Sequence, residues 1–423
     1  MKTPMTVLVP AFACAALTVS TAGAAQYGAM APQKTQQLPT SPTNVPARGK
    51  ANVSKPAMKA LVELQAAVNA NDVANIPAKL AAAQAVAKSS EEKLLVAQLQ
   101  LKAAVAANNE GAQGAAIEAL IASGGVDQAQ IPTLYRALGK LQHKQKQYAQ
   151  AASSFERALA LDPASTDAMV LLAEARNSQG QVNPAIALLQ KAIQAKTAAG
   201  QKADESWYKR AVALAFNAGL PSSVDLSRQW VAAYPTPGNW RDSLRIYRKL
   251  GALDPGATLD TLRLSRATGA LDGDTDFYLF AANAEKSSPG EARAVLDEAI
   301  AAKQIDPTKP LFKDLIASLK ANKALAQSQL PQLTTEARAA PAARFAMRIG
   351  DAYYGYGDYT KAAELYRIAL AKPGADANLI NLHLGMALAR AGDKAGAGAA
   401  LKAVAGSQAE LAKFWMVYLA THA

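Results

Sequence analysis

A chain of 423 residues is long enough for two or three ordinary domains or for one continuous repeat array. Half of it is apolar, only 6% is aromatic, and alanine-rich stretches with few β-branched residues recur, which weighs against a strand-built fold and predicts an all-α one. The formal charge of +12 concerns solubility and partners rather than fold, and the single cysteine, Cys14, leaves no scope for an internal disulfide.

Residues 1–25 read as a secretory signal: Lys2 gives a minimal positive end, residues 7–19 are mostly apolar, and small residues follow at 21–25. Pro10 and the small or hydroxyl residues in that stretch weigh against a transmembrane anchor, and cleavage after Ala24 or Ala25 fits. Cys14 follows Ala11-Phe12-Ala13 instead of a leucine-led motif, so lipidation is not expected, and removing the signal leaves no thiol for a disulfide, metal site or nucleophile. The expected compartment is outside the cytosol, periplasmic in a Gram-negative cell. Export makes nucleic acid a poor partner for the remaining positive charge and leaves acidic peptides, anionic envelope surfaces or plain solubility. Residues 26–56, rich in Gln, Pro, Thr and Ser, form an expected disordered leader.

Beyond the leader, helical patterns run to the C-terminus, broken by short Gly, Pro, Asn and Asp signals. Residues 57–130 read as degenerate helical repeats, in which Ala82 and Val86 recur as Ala116 and Leu120 after 34 residues. Residues 131–204 hold a clearer pair. Its first unit carries Tyr135, Leu138-Gly139, Tyr148, Ala151, Phe155, Ala158 and Pro163; in the second, Ala185, Leu189 and Ala192 repeat the pattern and Gly180 marks the turn. Residues 205–340 diverge, with one recognisable second helix at Ala292, Leu296 and Ala299. Residues 341–405 hold another pair, with Ile349-Gly350, Tyr353, Gly357, Tyr359, Ala362, Tyr366, Ala369, then Leu384-Gly385, Gly392, Ala397 and Leu401. Residues 406–423, with Leu411, Phe414, Trp415, Tyr418 and Leu419, read as a capping helix.

These motifs resemble the tetratricopeptide-repeat family, most specifically over residues 131–197 and 343–404. The resemblance implies a right-handed α-solenoid of antiparallel helix pairs, a concave groove lined by the first helix of each pair, and a non-catalytic scaffold that holds a peptide or helix of a cell-envelope protein. It places Thr133, Arg136, Lys140, His143 and Lys144 on the groove of one repeat, with Asp167, Val170, Glu174, Lys209, Arg344, Met347, Asp351 and Tyr354 at corresponding places elsewhere. A groove with a basic end suits an acidic or carboxylate-bearing segment, though charged helix faces are often only solvated. Leu171 stands where the family's carboxylate clamp needs Asn, so that activity is not expected.

Arg241, Arg245 and Arg248 recur at i, i+4 and i+7 and share one helix face, beside an apolar stripe of Trp240, Leu244 and Tyr247 and near Arg263 and Arg266. The stripe reads either as a site for an anionic partner or lipid headgroups, or as an outer face balanced by Asp242 and Asp254. His143, His383 and His422 show no metal spacing, no phosphate-binding or nucleophile motif is present, and Asp351 with Glu364 is the nearest thing to an acid pair. No cofactor, metal or catalytic residue is expected, and the oligomeric state is open. The competing readings are an envelope enzyme laid out like the superhelical lytic transglycosylases, for which no separate catalytic domain is visible, and a membrane-apposed structural protein using the basic stripe.

Overall fold

The computed structural model describes residues 53–321 and 327–422. The expected signal and nearly all of the expected leader lie outside them. Among the described residues the regular structure is entirely helical, and no helix is long and apolar enough to cross a membrane. The helices are α1 (Lys55–Asn69), α2 (Ile76–Val86), α3 (Ser90–Ala106), α4 (Glu110–Ala122), α5 (Ile131–Lys144), α6 (Tyr148–Leu161), α7 (Thr166–Ser178), α8 (Val182–Ala198), α9 (Glu205–Asn217) and α10 (Ser222–Ala233). They continue with α11 (Pro237–Leu250), α12 (Pro255–Ala267), α13 (Gly273–Ala284), α14 (Pro289–Ala301), α15 (Pro310–Ala321), α16 (Leu330–Ala339), α17 (Ala343–Gly355), α18 (Tyr359–Leu370), α19 (Ala377–Ala391), α20 (Lys394–Lys402) and α21 (Ala409–Thr421).

Successive helices pack as antiparallel pairs, and the pairs stack. The reason is local. In the pair α5/α6, a Cβ on Gly139 would stand 2.5 Å from the ring of Phe155, so only glycine lets the buried Phe155 lie against α5. Gly350 and Tyr366 repeat that contact in α17/α18 at 2.7 Å. Ala151, Ala158, Ala185, Ala192, Ala362 and Ala369 are fully or almost fully buried, as small residues must be where helices approach closely. Gly180 and Gly392 adopt left-handed φ of 76° and 87° at the turns within their pairs. In the N-terminal repeats the buried position is Ala83 and Ala82 is exposed, so the expected 34-residue register is wrong there by one residue. The first helix begins at Lys55, inside the expected leader, because Ser54 caps it and Pro56 favours its first turn.

The solenoid does not stay open. The helix expected to cap only the last repeat, α21, packs on α19 and α20 and also returns to α10 and α11, where Phe414 lies between Trp240 and Tyr247 at ring separations of 6.3 and 5.8 Å. Arg228 on α10 pairs with Glu410 at 2.7 Å across 182 residues. α17 packs on α14, where Cβ atoms on Gly355 and Gly290 would each come within 2.9 Å of Glu291 and Tyr356. One continuous core accordingly runs from Val231, Trp240, Leu244 and Leu264 to Tyr366, Leu384 and Trp415. The divergent middle and the C-terminal repeats form one packed body.

Candidate protein-binding groove

The first helices of the N-terminal pairs are joined side by side through polar contacts about one repeat apart in sequence. Arg136 on α5 donates to Thr133 Oγ1 at 3.1 Å and lies 3.6 Å from Asp167 at the start of α7. His143 bonds Ser178 Oγ at 3.1 Å, and Lys144 pairs with Glu110. Glu174 on α7 accepts two bonds from Arg210 on α9, at 2.9 and 2.7 Å. Lys209 pairs with Glu205 at 3.1 Å and lies over the Trp230 ring at 5.5 Å. Val170 is buried, not groove-lining. The face is thus a ladder of matched charges. Lys140 is the exception: it is exposed and makes no ion pair or hydrogen bond with a described residue.

The corresponding face of the C-terminal repeats is not open, which corrects two expected groove residues. Tyr354 is buried, with the guanidinium of Arg263 from α12 5.0 Å from its ring centre, and Asp351 accepts from Tyr366 Oη at 2.8 Å and from His383 Nδ1 at 2.9 Å. Helices α12 and α14 of the chain itself fill the place a partner would take. Arg344 remains exposed and unpaired among the described residues, while Met347 packs partly buried on the core.

The junction is ionic at its centre. Arg263 bonds Glu291 at 2.7 Å and Asp260 at 2.9 Å, with all three side chains at most 4% exposed. His383 Nε2 meets Asp260 Oδ2 at 3.0 Å while Nδ1 meets Asp351, so both ring nitrogens face carboxylates and both carry protons. Burial works against that charged ring, but Asp260 and Asp351 outweigh it and raise its pKa to about 10. Burial likewise pushes Asp260 up, and His383 and Arg263 overcome it, holding the carboxyl below its usual range. Burial raises the Tyr354 and Tyr366 hydroxyls, which stay protonated. His383 is therefore a satisfied structural histidine. The acid pair divides between separate partners, Asp351 as above and Glu364 with Arg338. Among the described residues no group of three or more His, Cys, Asp or Glu is placed to hold a metal ion.

The cations of the basic stripe are likewise paired within the chain. Arg245 and Arg248 both pair with the buried Asp276, at 3.0 and 2.9 Å, and Arg241 pairs with Asp272 at 2.9 Å. Arg266 pairs with Glu298, and Arg263 is buried as described. The balancing acids are one repeat onward, in place of the expected Asp242 and Asp254. The stripe joins α11 to α13 and offers no free row of cations.

Two family models described as tetratricopeptide repeat match the chain, one over residues 142–202 and the other over 324–377 and 347–410. The chain carries tetratricopeptide repeats over those residues. No curated protein is similar to it in sequence. Among solved structures, this repeat protein is similar to the C-terminal part of a TPR repeat-containing protein from Cytophaga hutchinsonii, at 13% identity and a TM-score of 0.27, over 76% of this chain and 98% of that one. It is also similar to the Naa15/Naa10 complex bound to HypK-THB, at 15% identity and a TM-score of 0.36, over 83% of this chain and 63% of that one. Likeness at that level carries no statement about what this chain binds.

The sequence reading of the repeat protein missed Asp260 and Glu291. A signal was present: Asp260 and Arg263 stand at i, i+3 inside an otherwise buried helix, where an isolated charge would be costly and an oppositely charged neighbour implies a pair.

Proposed function

We propose that this protein is an exported scaffold that receives a peptide or helix of another cell-envelope protein on the face formed by α5, α7 and α9, with no catalytic role. The observation that carries the reading is the contrast between the two repeat blocks. The C-terminal inner face is filled by the chain's own helices, while the N-terminal one presents Thr133, Lys140 and Lys144 to solvent. Because Arg136, His143 and Lys144 already have local partners, the segment received carries a few acidic groups that meet Lys140 and compete for its neighbours. Export rests on the pattern of residues 1–25 and the expected domain scheme on the repeat spacing.

The test is capture from envelope extract with the chain from Gln26 onward, beside Lys140→Glu and a triple reversal of Arg136, Lys140 and Lys144 to Glu. Lys140→Glu disturbs no internal pair, so the fold is kept while the groove charge changes. A protein held by the wild type, weakened by the single variant and lost from the triple locates the groove. Equal capture by all three rejects it.

A further inference from the structure

The two ends of the described solenoid are finished differently. A terminal helix normally turns a polar outer face to water. At the C-terminal end α21 buries Leu411, Phe414 and Trp415 against the rest of the molecule. At the other end α1 exposes Met58 by 49% and Val62 by 56%, on successive turns of the same helix. Lys55, Met58, Lys59 and Val62 fall at i, i+3, i+4 and i+7 and form one face, with Lys55 and Lys59 exposed and in no ion pair with a described residue. The only acid of the helix, Glu63, is engaged by Lys79 at 2.7 Å. The orientation of this face is fixed from behind. Glu92 of α3 accepts from the backbone N–H groups of Lys88 at 2.7 Å, Ser54 at 2.8 Å and Ser89 at 3.1 Å, and these bonds hold its carboxyl at about 2.

Sequence sharpens the asymmetry. The first acidic residue of the chain is Glu63; before it come Lys2, Lys34, Arg48, Lys50, Lys55 and Lys59, so half of the net charge of +12 belongs to the first 62 residues. Arg48 and Lys50 are within seven residues of Lys55, no more than about 25 Å away along even an extended chain. This charge selects among occupants. The preceding segment is basic and would bring cations to cations, as would a second copy docking through the same face.

We infer that the outer face of α1 docks on an anionic lipid surface, with Lys55 and Lys59 among the headgroups and Met58 and Val62 entering the acyl boundary. The inference is independent of the groove on α5, α7 and α9 and places the membrane contact at the N-terminal end, away from the arginine stripe of α11.

The test is flotation of the chain from Gln26 onward with vesicles of phosphatidylcholine containing about one-third phosphatidylglycerol, against pure phosphatidylcholine vesicles. All the described packing lies after Gln26, and circular dichroism checks that each variant remains helical. The expected result is low-salt binding to the anionic vesicles only, about thirtyfold weaker for Lys55→Gln/Lys59→Gln at roughly 1 kcal/mol per cation, and weaker again at high salt. Met58→Ser/Val62→Ser is expected to lower binding while keeping its salt dependence. No binding to anionic vesicles, or binding that neither variant changes, overturns the inference. So does lysine-dependent binding to polyglutamate with none to vesicles, which gives the face to an acidic protein, or concentration-dependent self-association abolished by Met58→Ser/Val62→Ser, which gives it to a second copy.

Discussion

Arg263→Ala is the sharpest test of how the two halves of the solenoid are held together. The guanidinium is buried and binds two buried carboxylates, Glu291 at 2.7 Å and Asp260 at 2.9 Å. Removing it leaves those acids desolvated with only His383 as a nearby cation, and breaking such a pair from one side typically costs about 3–5 kcal/mol. Loss of the contact with the Tyr354 ring adds to this. The triple change Asp260→Asn/Arg263→Met/Glu291→Gln removes the stranded charges and is expected to recover most of the loss, because a buried ionic cluster replaced as a whole is nearly neutral. The assay is urea unfolding followed by tryptophan fluorescence, which reads Trp240 and Trp415 in the shared core, alongside far-UV circular dichroism. A loss below about 1 kcal/mol for Arg263→Ala, or a triple variant no more stable than the single one, refutes the buried junction.

The His383 pKa is raised from 6.5 to about 10 in the folded protein, so its contribution is complete below pH 6.5 and drains away as pH rises to about 10; Asp260, held low, contributes above its ordinary range near pH 4 and is lost on acidification. Unfolding free energies from urea titrations across pH 6–10 are therefore expected to fall by a few kcal/mol in the wild type and to flatten in His383→Gln. Gly139→Ala drives a methyl into Phe155 and is expected to cost about 1–3 kcal/mol, against about 3–5 for Phe155→Ala, both by thermal and urea denaturation. Arg228→Ala removes a partly exposed pair with Glu410 and is expected to cost about 1 kcal/mol or less, whereas Phe414→Ala, at the same contact region, costs about 3–5 and changes Trp240 emission. Arg245→Gln/Arg248→Gln strands the buried Asp276 and is expected to lower the melting temperature without changing vesicle binding, since both cations are already paired within the chain.

The repeats were legible because their signals are local: a glycine that admits an aromatic ring sixteen residues later, and alanines at fixed places on the second helix. The expected groove positions were read off the same periodicity. What covers them was not, because Tyr354 and Asp351 meet groups on α12 and α19, and the α12 contact closes over some ninety residues that no periodicity encodes. The arginines of α11 were correctly placed on one face and their partners misplaced. The acids were sought on the same helix or the next turn, while Asp272 and Asp276 lie 28 to 31 residues on. Opposite charges one repeat apart, seen again in Glu174 with Arg210 and Asp351 with His383, are the signal that links successive first helices. The slip from Ala83 to Ala82 has another origin: α2 is so rich in alanine that composition does not mark its buried face.

The return of α21 to α10 and α11 changes how the chain can be assembled. In an open solenoid each repeat contacts only its neighbours, so folding can nucleate anywhere and propagate. Here Trp240 and Tyr247 wait for Phe414, and Arg228 waits for a glutamate 182 residues downstream. The middle helices keep an unfinished surface until α21 has been made, so the core they share with it closes only after the intervening repeats exist.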